Sequence, residues 1–248
     1  MRKAFSNGAD VAEAHAALGD IKFLYDWDVP GAEREYRRTL EMNPSFVTTR
    51  KIFSQMLATR GRFDEATAIS EETLRIDPQS IDGVISHGML LYYKRDWDGA
   101  AKIAARVLAE DPGNPACSLL AARIAEARGR YAEAWPLIKQ AWQLSGEVGV
   151  TLKILVIRLQ ALSGDVAGAR AARTELEEEA QAGTVRLHDR DRAFLALGFG
   201  EKQQALDAFD RAFADRDPAL VYLPVDPRVD VLRGEPRFVT MLQKLSAN

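Results

Sequence analysis

The chain contains GRFDEA at residues 61–66, and close versions of this segment follow as RDWDGA (95–100), GRYAEA (129–134) and GDVAGA (164–169). Each version begins with glycine or a basic residue, has an aromatic residue or valine two positions later, and ends on alanine. GEKQQA (200–205) keeps the glycine and the alanine, and WDVPGA (27–32) is preceded by one extra residue. Self-similarity of this kind indicates a fold built from repeats.

The period of the repeat is 34 residues, and it is marked by Ala32, Ala66, Ala100 and Ala134 and, 12 residues after the first three of these, by Pro44, Pro78 and Pro112. Each proline follows Asn or Asp and ends a helix, because the residue before proline disfavours helical geometry. Between these marks apolar residues recur at spacings of three and four, which is typical of amphipathic helices. No stretch shows the sustained alternation of a strand.

Glycines 61, 129, 164 and 200 suit the left-handed backbone that ends the first helix of a hairpin. The alanine five positions later is expected where two helices cross so closely that a larger side chain would separate them. Turns are therefore predicted near residues 26–29, 61–62, 95–96, 129–130, 164–165 and 200–201. Pro136 falls inside a predicted helix, which we expect to start late or bend there.

Helical hairpins of this length and pattern resemble tetratricopeptide repeats. The sequence therefore predicts an all-α fold, a right-handed superhelix of about six such hairpins with a concave groove and a C-terminal capping segment. The predicted hairpins are 12–45, 47–80, 81–114, 115–148, 150–183 and 186–219. Residues 1–11 are expected to be the tail of a preceding helix, and 220–248 the cap.

Two segments are similar to a narrower group of arrays. AEAHAALGDIKFLYDWDVPGAEREYRRTLEMNP (12–44) resembles the opening repeat of arrays at the carboxyl end of bacterial winged-helix transcriptional regulators, class III adenylate cyclases and some Ser/Thr kinases. DPALVYLPVDPRVDVLRGEPRFVTMLQKL (217–245) resembles their closing segment, DPRFDPLRSDPRF, with Val229 and Val231 in place of Phe and Pro. The resemblance implies a sensing or partner-binding array whose output domain lies upstream.

Composition narrows the classes of function. The 248 residues carry 33 basic and 36 acidic side chains, a net charge of −3, which argues against direct nucleic-acid binding by this region. Cys117 is the only cysteine, so an internal disulfide and a thiolate zinc cluster are excluded, and we expect a buried apolar role. The most apolar window, 148–162, is too short to span a membrane and contains Lys153 and Arg158. We expect a cytoplasmic protein, or a periplasmic one if a membrane-spanning regulator precedes it.

Motifs for catalysis are absent from the sequence. There is no GxxxxGK[ST] phosphate loop, no GxSxG elbow and no HExxH zinc motif. The acidic run 175–179 lacks the turn of a calcium loop and is interpreted as a solvated helix face. Trp27 and Trp97 occupy the aromatic turn position, where hairpin packing explains them. We expect no enzyme activity, no cofactor and no metal.

The candidate site is the concave groove, which the first helix of each hairpin lines. Counting from the repeat starts, the predicted groove residues are Asp20, Phe23, Lys51, Gln55, Met89, Tyr92, Tyr93, Arg123, Glu126, Arg158, Arg190 and Phe194. Lysine and arginine form a basic line among them, and methionine and tyrosine an apolar centre, as binding surfaces often have. The open alternative is that these are ordinary helix-surface residues.

The leading functional hypothesis is therefore a non-catalytic module that binds a protein or peptide, possibly an acidic one, for a bacterial signalling or transcription-regulatory protein. The alternative is a sensor that encloses a small molecule or short peptide and controls an attached output domain. In the tail, Val221, Leu223, Val225, Val229, Leu232 and Phe238 are expected to cover the last hairpin.

Overall fold

The computed structural model describes residues 8–146 and 149–246, and its elements are all helical. The α-helices are α1 (Gly8–Ile21), α2 (Val29–Met42), α3 (Val47–Thr59), α4 (Phe63–Ile76), α5 (Ile81–Tyr93), α6 (Trp97–Glu110), α7 (Pro115–Ala127), α8 (Tyr131–Leu144), α9 (Val150–Leu162), α10 (Val166–Gln181), α11 (Asp189–Gly198), α12 (Lys202–Ala214) and α13 (Pro236–Ser246). A π-helical turn spans Lys22–Asp26, and two 3₁₀ segments span Pro218–Tyr222 and Pro227–Leu232. The predicted helix tail over 1–11 and the hairpin end at 148 fall partly on residues 1–7 and 147–148, outside the described residues.

The all-α prediction is confirmed. Consecutive helices pack as pairs, α1 with α2, α3 with α4, α7 with α8, α9 with α10 and α11 with α12. The register alanines at 32, 66, 100, 134, 169 and 205 are all fully buried. Their complete burial agrees with the prediction that these alanines lie where paired helices pack closely.

The turns between paired helices share one backbone feature. Gly61, Gly129, Gly164 and Gly200 have φ between 70° and 109°, at positive values that favour glycine. Trp27 and Arg95 occupy the same register position in their repeats and have φ of 58° and 69°. Residues other than glycine rarely adopt this conformation. The turn therefore keeps its backbone geometry in these two repeats even though the glycine is replaced.

The extra residue before WDVPGA is accommodated by the π-helical turn Lys22–Asp26. A π-turn holds one more residue than an α-turn, so the first hairpin reaches its turn at Trp27 without shifting the rest of the register. The Trp27 side chain is only 3% exposed, which supports its predicted role in hairpin packing.

Three second helices begin with the same side-chain cap. Asp28, Asp96 and Asp165 each accept a hydrogen bond from the backbone N–H three residues later, and that third residue is always glycine. A Cβ on Gly99 would lie 2.4 Å from a carboxylate oxygen of Asp96, and those on Gly31 and Gly168 would meet their aspartates as closely. The aspartate cap and the glycine are thus one structural unit.

Helix α8 does not start late at Pro136, and that part of the prediction is wrong. It begins at Tyr131 and runs through the proline. The turn at Gly129 fixes the start of α8 in the same register as α4 and α6. Proline is then tolerated near the amino-terminal end, where only one early backbone hydrogen bond is lost.

The chain forms two compact units, each with its own core. Among the described residues, the first contains 8–95, 218–226 and 240–246, and the second contains 96–146, 149–217 and 227–239. Tyr36, Phe53 and Met56 are fully or almost fully buried in the first unit, and Ile138 and Phe209 in the second. The division falls between α5 and α6, inside the predicted repeat 81–114, and the repeat boundaries themselves stay predictions.

The C-terminal segment, residues 217–246, contributes to both units. Phe238 packs against Phe209 of α12 with ring centroids 5.7 Å apart, as expected for a cap on the last hairpin. The stretch 218–226, by contrast, packs on the π-turn and α3 of the first unit. The expected cap residues Val221, Leu223 and Val225 are therefore buried in a different place from the one predicted.

Candidate partner-binding site

The predicted groove residues divide between the two units. Asp20, Phe23, Lys51, Gln55, Met89, Tyr92 and Tyr93 belong to the first unit, and Arg123, Glu126, Arg158, Arg190 and Phe194 to the second. Each set has its own contacts.

In the first unit three predicted residues surround Tyr222 of the C-terminal segment. The Phe23 ring meets the Tyr222 ring edge-on with centroids 5.8 Å apart, and the Tyr93 ring stacks on it at 6.4 Å. The Tyr222 hydroxyl donates a hydrogen bond to the amide oxygen of Gln55 over 3.4 Å. We call Phe23, Gln55 and Tyr93 the aromatic seat.

The helices place these side chains together for a simple reason. Phe23 lies in the π-turn that ends the first helix of its hairpin, Gln55 is on α3, and Tyr93 ends α5. All three positions are on first helices of successive hairpins, which line the concave side of such arrays. The neighbouring Tyr92 is 1% exposed and contacts Tyr93 with ring centroids 5.7 Å apart.

Asp20 lies beside the aromatic seat. Its carboxylate accepts a hydrogen bond from the Tyr36 hydroxyl over 2.8 Å. Partial burial raises the pKa of Asp20, and the Tyr36 hydrogen bond opposes this rise. Burial also raises the pKa of Tyr222, with the charges of Tyr93 and Asp20 acting in the same direction. Both tyrosine hydroxyls thus stay protonated as hydrogen-bond donors.

Lys51 and Met89 are half-buried members of the same unit. Lys51 forms an ion pair with Asp82 over 2.9 Å, and that carboxylate is 81% exposed. Such an exposed pair contributes little to stability, so the lysine can exchange its partner at low cost.

In the second unit the predicted basic residues have acidic partners of their own. Arg158 binds Glu126 through Nε and Nη2 at 2.8 and 2.7 Å, and its Nη1 donates to the Phe194 carbonyl at 2.9 Å. Arg158 and Glu126 are 5% and 7% exposed. This pair joins α7, α9 and α11 and is not available to a partner while it is formed.

Arg190 is engaged in the same way. Its guanidinium binds Asp191 at 3.1 Å and Asp217 at 3.0 Å, and both carboxylates are almost fully buried. Arg123 is half-buried. The Phe194 ring is covered by the guanidinium of Arg228, 4.1 Å from its centroid, so the C-terminal segment also meets a predicted groove residue in this unit.

Sequence reasoning missed Tyr222 as a site residue. Its aliphatic neighbours Val221 and Leu223 are predicted as cap residues, and the aromatic residue between them is not among the predicted site residues. An aromatic side chain flanked by two aliphatic ones and by prolines 218 and 224 was the available signal.

Outside the predicted groove residues, the chemistry-bearing side chains to consider are the cysteine and possible metal ligands. Cys117 is buried, its Sγ donates to the Ala104 carbonyl, and burial raises the pKa of the thiol, which agrees with the expected apolar role. Within residues 8–146 and 149–246, no three His, Cys, Asp or Glu side chains are grouped to hold a metal ion. In the same residues no helix combines the length and the apolar character needed to cross a membrane.

Comparisons with known proteins support the helical-repeat architecture. The family described as "Tetratricopeptide repeat" matches residues 91–142. No curated protein matches the sequence. These comparisons do not bear on the predicted link to winged-helix regulators, cyclases or kinases.

Solved structures are similar over most of the chain. A tetratricopeptide repeat protein from Parabacteroides merdae ATCC 43184 is 16% identical with a TM-score of 0.63, over 96% of this chain and 84% of that one. Pseudomonas aeruginosa pilF is 16% identical with a TM-score of 0.55, over 88% and 97%. PilW, a type IV pilus biogenesis factor, is 18% identical with a TM-score of 0.56, over 71% and 80%. Identities this low speak for the fold alone: the chain has the helical-hairpin fold of tetratricopeptide repeat proteins.

Proposed function

We propose that this chain is a non-catalytic interaction module that binds a segment of another protein through its first helices. The observation that supports this most directly is the aromatic seat, which holds Tyr222 with side chains from three successive hairpins. A surface that accommodates a short 3₁₀ segment of its own chain has the shape and chemistry to accommodate a segment of another. Repeat arrays commonly use such surfaces for binding.

The proposal includes the setting that the resemblance implies. The module would be the partner-binding part of a bacterial signalling or transcription-regulatory protein acting in the cytoplasm. An acidic partner has weaker support than the sequence suggested, because Arg158 and Arg190 already bind carboxylates of the chain. Lys51, whose partner Asp82 is exposed, is a basic residue that a partner could use at lower cost.

The alternative of a small-molecule sensor has less support. It requires an apolar pocket around Tyr92 and Tyr93, and these side chains are 1% and 9% exposed. Tyr222 fills the space at Tyr93. An apolar or aromatic side chain of a peptide matches this seat better than a soluble metabolite does.

A displayed peptide library can test the proposal. The intact chain should enrich a set of related peptides, and the double variant Gln55→Ala/Tyr93→Ala should enrich them at least about tenfold less, since each lost contact in a desolvated site contributes on the order of 1 kcal/mol. Arg75→Ala, on the outer helix α4 and 74% exposed at its side chain, is the matched control and should behave like the intact chain. Equal enrichment by all three proteins would exclude the groove and direct attention to the outer helices.

A further inference from the structure

We infer that the aromatic seat is an exchangeable binding site for a short apolar segment centred on tyrosine, and that Tyr222 occupies it until a partner segment of the same chemistry replaces it. This inference rests on the proposed function and adds the ligand class and its competitor. The C-terminal segment is then a built-in ligand that limits access to the first unit.

The contacts define the class of ligand. Two aromatic rings, Phe23 and Tyr93, face the Tyr222 ring edge-on and stacked, the two arrangements that aromatic pairs favour. The hydrogen bond from the Tyr222 hydroxyl to Gln55 is long at 3.4 Å, so the ring matters more than the hydroxyl. The flanking Val221 and Leu223 are almost fully buried, which requires aliphatic neighbours on both sides.

The described contacts of Tyr222 are individually weak, which favours exchange. They are ring contacts with Phe23 and Tyr93 and a long hydrogen bond to Gln55, and the segment is a short 3₁₀ turn rather than an α-helix. A second attachment lies further along the chain, where Arg60 donates to the carbonyl oxygen of Leu245 over 3.0 Å. That attachment is independent of Tyr222, so the end of the chain can stay in place when the aromatic residue leaves the seat.

Covalent linkage explains why Tyr222 is the resident ligand. A tethered segment acts at an effective concentration on the order of millimolar, so a free segment of equal affinity competes poorly. A partner must therefore make additional contacts, or the tether must be weakened. The chain's own segment and an identical free peptide should therefore compete for the aromatic seat, and this competition can be measured.

The experiment uses a fluorescein-labelled peptide with the sequence of residues 217–226, DPALVYLPVD, and the full chain. Fluorescence anisotropy should show that Tyr222→Ala binds this peptide at least about tenfold more tightly than the intact chain, because the tethered competitor is gone. Tyr222→Ala/Tyr93→Ala should lose the gain, and a peptide with alanine in place of tyrosine should not bind. Equal affinity of the intact chain and Tyr222→Ala, or no binding by a folded Tyr222→Ala, would overturn the inference.

A second measurement covers the case in which Tyr222→Ala does not fold. The amides of Leu223, Val225 and Asp226 are hydrogen-bonded within the docked segment, so their hydrogen exchange reports its release. On the intact chain, adding the same peptide should accelerate these amides while those of α3 are unchanged. Unchanged exchange at saturating peptide would contradict the inference. The two proposals stay distinguishable, since library peptides that bind equally well with and without Tyr222 would retain the proposed function and reject the exchange.

Discussion

The guanidinium of Arg158 and the carboxylate of Glu126 form a buried ion pair across two hairpins, with Nε and Oε1 2.8 Å apart. Gly198 of α11 lies directly against this arginine, and a Cβ there would come within 3.1 Å of the Arg158 Cα. The pair and the glycine together allow α11 to approach α9 closely. A residue predicted for partner binding is therefore central to the packing of the second unit.

Removing one member of this pair should be strongly destabilising. We expect Glu126→Ala to lower the free energy of unfolding by about 3–5 kcal/mol, because a buried guanidinium loses its counter-charge. The measurement is urea denaturation followed by circular dichroism. Asp82→Ala, which breaks the exposed pair with Lys51, is the control and should cost less than about 1 kcal/mol. Similar costs for the two variants would mean that burial does not set the strength of the Arg158 pair.

The left-handed turns make a separate prediction for stability. Gly129 has φ of 70° and open space around its missing Cβ, so Gly129→Ala creates backbone strain without a clash. We expect a loss of about 1–2 kcal/mol. Gly234 also has open space but no left-handed backbone, and Gly234→Ala should be neutral or slightly stabilising. Thermal unfolding of both variants checks this, and a Gly129→Ala variant that melts like the intact chain would argue against a left-handed turn.

The repeat architecture could be predicted because its determinants are local. All six turns have an alanine at their sixth position, four begin with glycine and five have an aromatic residue or valine at the third, and a spacing of 34 to 36 residues aligns them along the chain. Trp27 and Arg95 show the limit of residue type, since they adopt the backbone that glycine adopts elsewhere. At these two positions the place in the repeat predicted the backbone conformation, and the residue type did not.

The contacts of Tyr222 and of the C-terminal end could not be predicted because they join residues that are remote in sequence. Tyr222 and Gln55 are 167 residues apart, and Arg60 and Leu245 are 185 apart. No repeat spacing encodes such a pair. The pairing of Arg158 with Glu126 was easier to predict, because the two opposite charges lie at predicted groove positions of adjacent hairpins, 32 residues apart. The sequence identified the positions, but burial decided that these two would bind each other.

The half-buried carboxylate of Asp20, beside the aromatic seat, predicts a pH dependence of stability. The pKa of Asp20 is raised by burial, so protonation stabilises the fold, and this contribution is lost as pH rises above 3.8 and through the folded pKa. Asp20→Asn should therefore be more stable than the intact chain at neutral pH, with a difference that shrinks on acidification. The uncharged Tyr36 and Tyr222 hydroxyls beside it do not titrate in this range. The measurement compares the melting temperatures of the two proteins at pH values between 3 and 8, spaced by about one pH unit.

Asp28 provides a control of opposite sign. Its pKa is lowered, first by the Gly31 N–H and then by Lys22, so its contribution is present above pH 3.8 and is lost as pH falls through the folded pKa. Asp28→Asn should be less stable than the intact chain at neutral pH, and this difference should also shrink on acidification. If both variants shifted stability in the same direction at neutral pH, local environment would not explain either effect.

The aspartate caps predict that Gly99→Ala has opposite effects on stability when Asp96 is present and when it is replaced by alanine. Asp96 accepts from the Gly99 N–H over 2.8 Å, and a Cβ on Gly99 would meet the same carboxylate. Gly99→Ala alone should be destabilising, because the lost cap costs about 0.5–2 kcal/mol and, with the clash against the Asp96 carboxylate, this exceeds the gain from the better helix propensity of alanine. In the Asp96→Ala background the cap is already absent, so Gly99→Ala should stabilise the chain by about 0.5–1 kcal/mol. A double-mutant cycle from urea denaturation measures the coupling directly. Additive effects of the two substitutions would show that the aspartate and the glycine act separately.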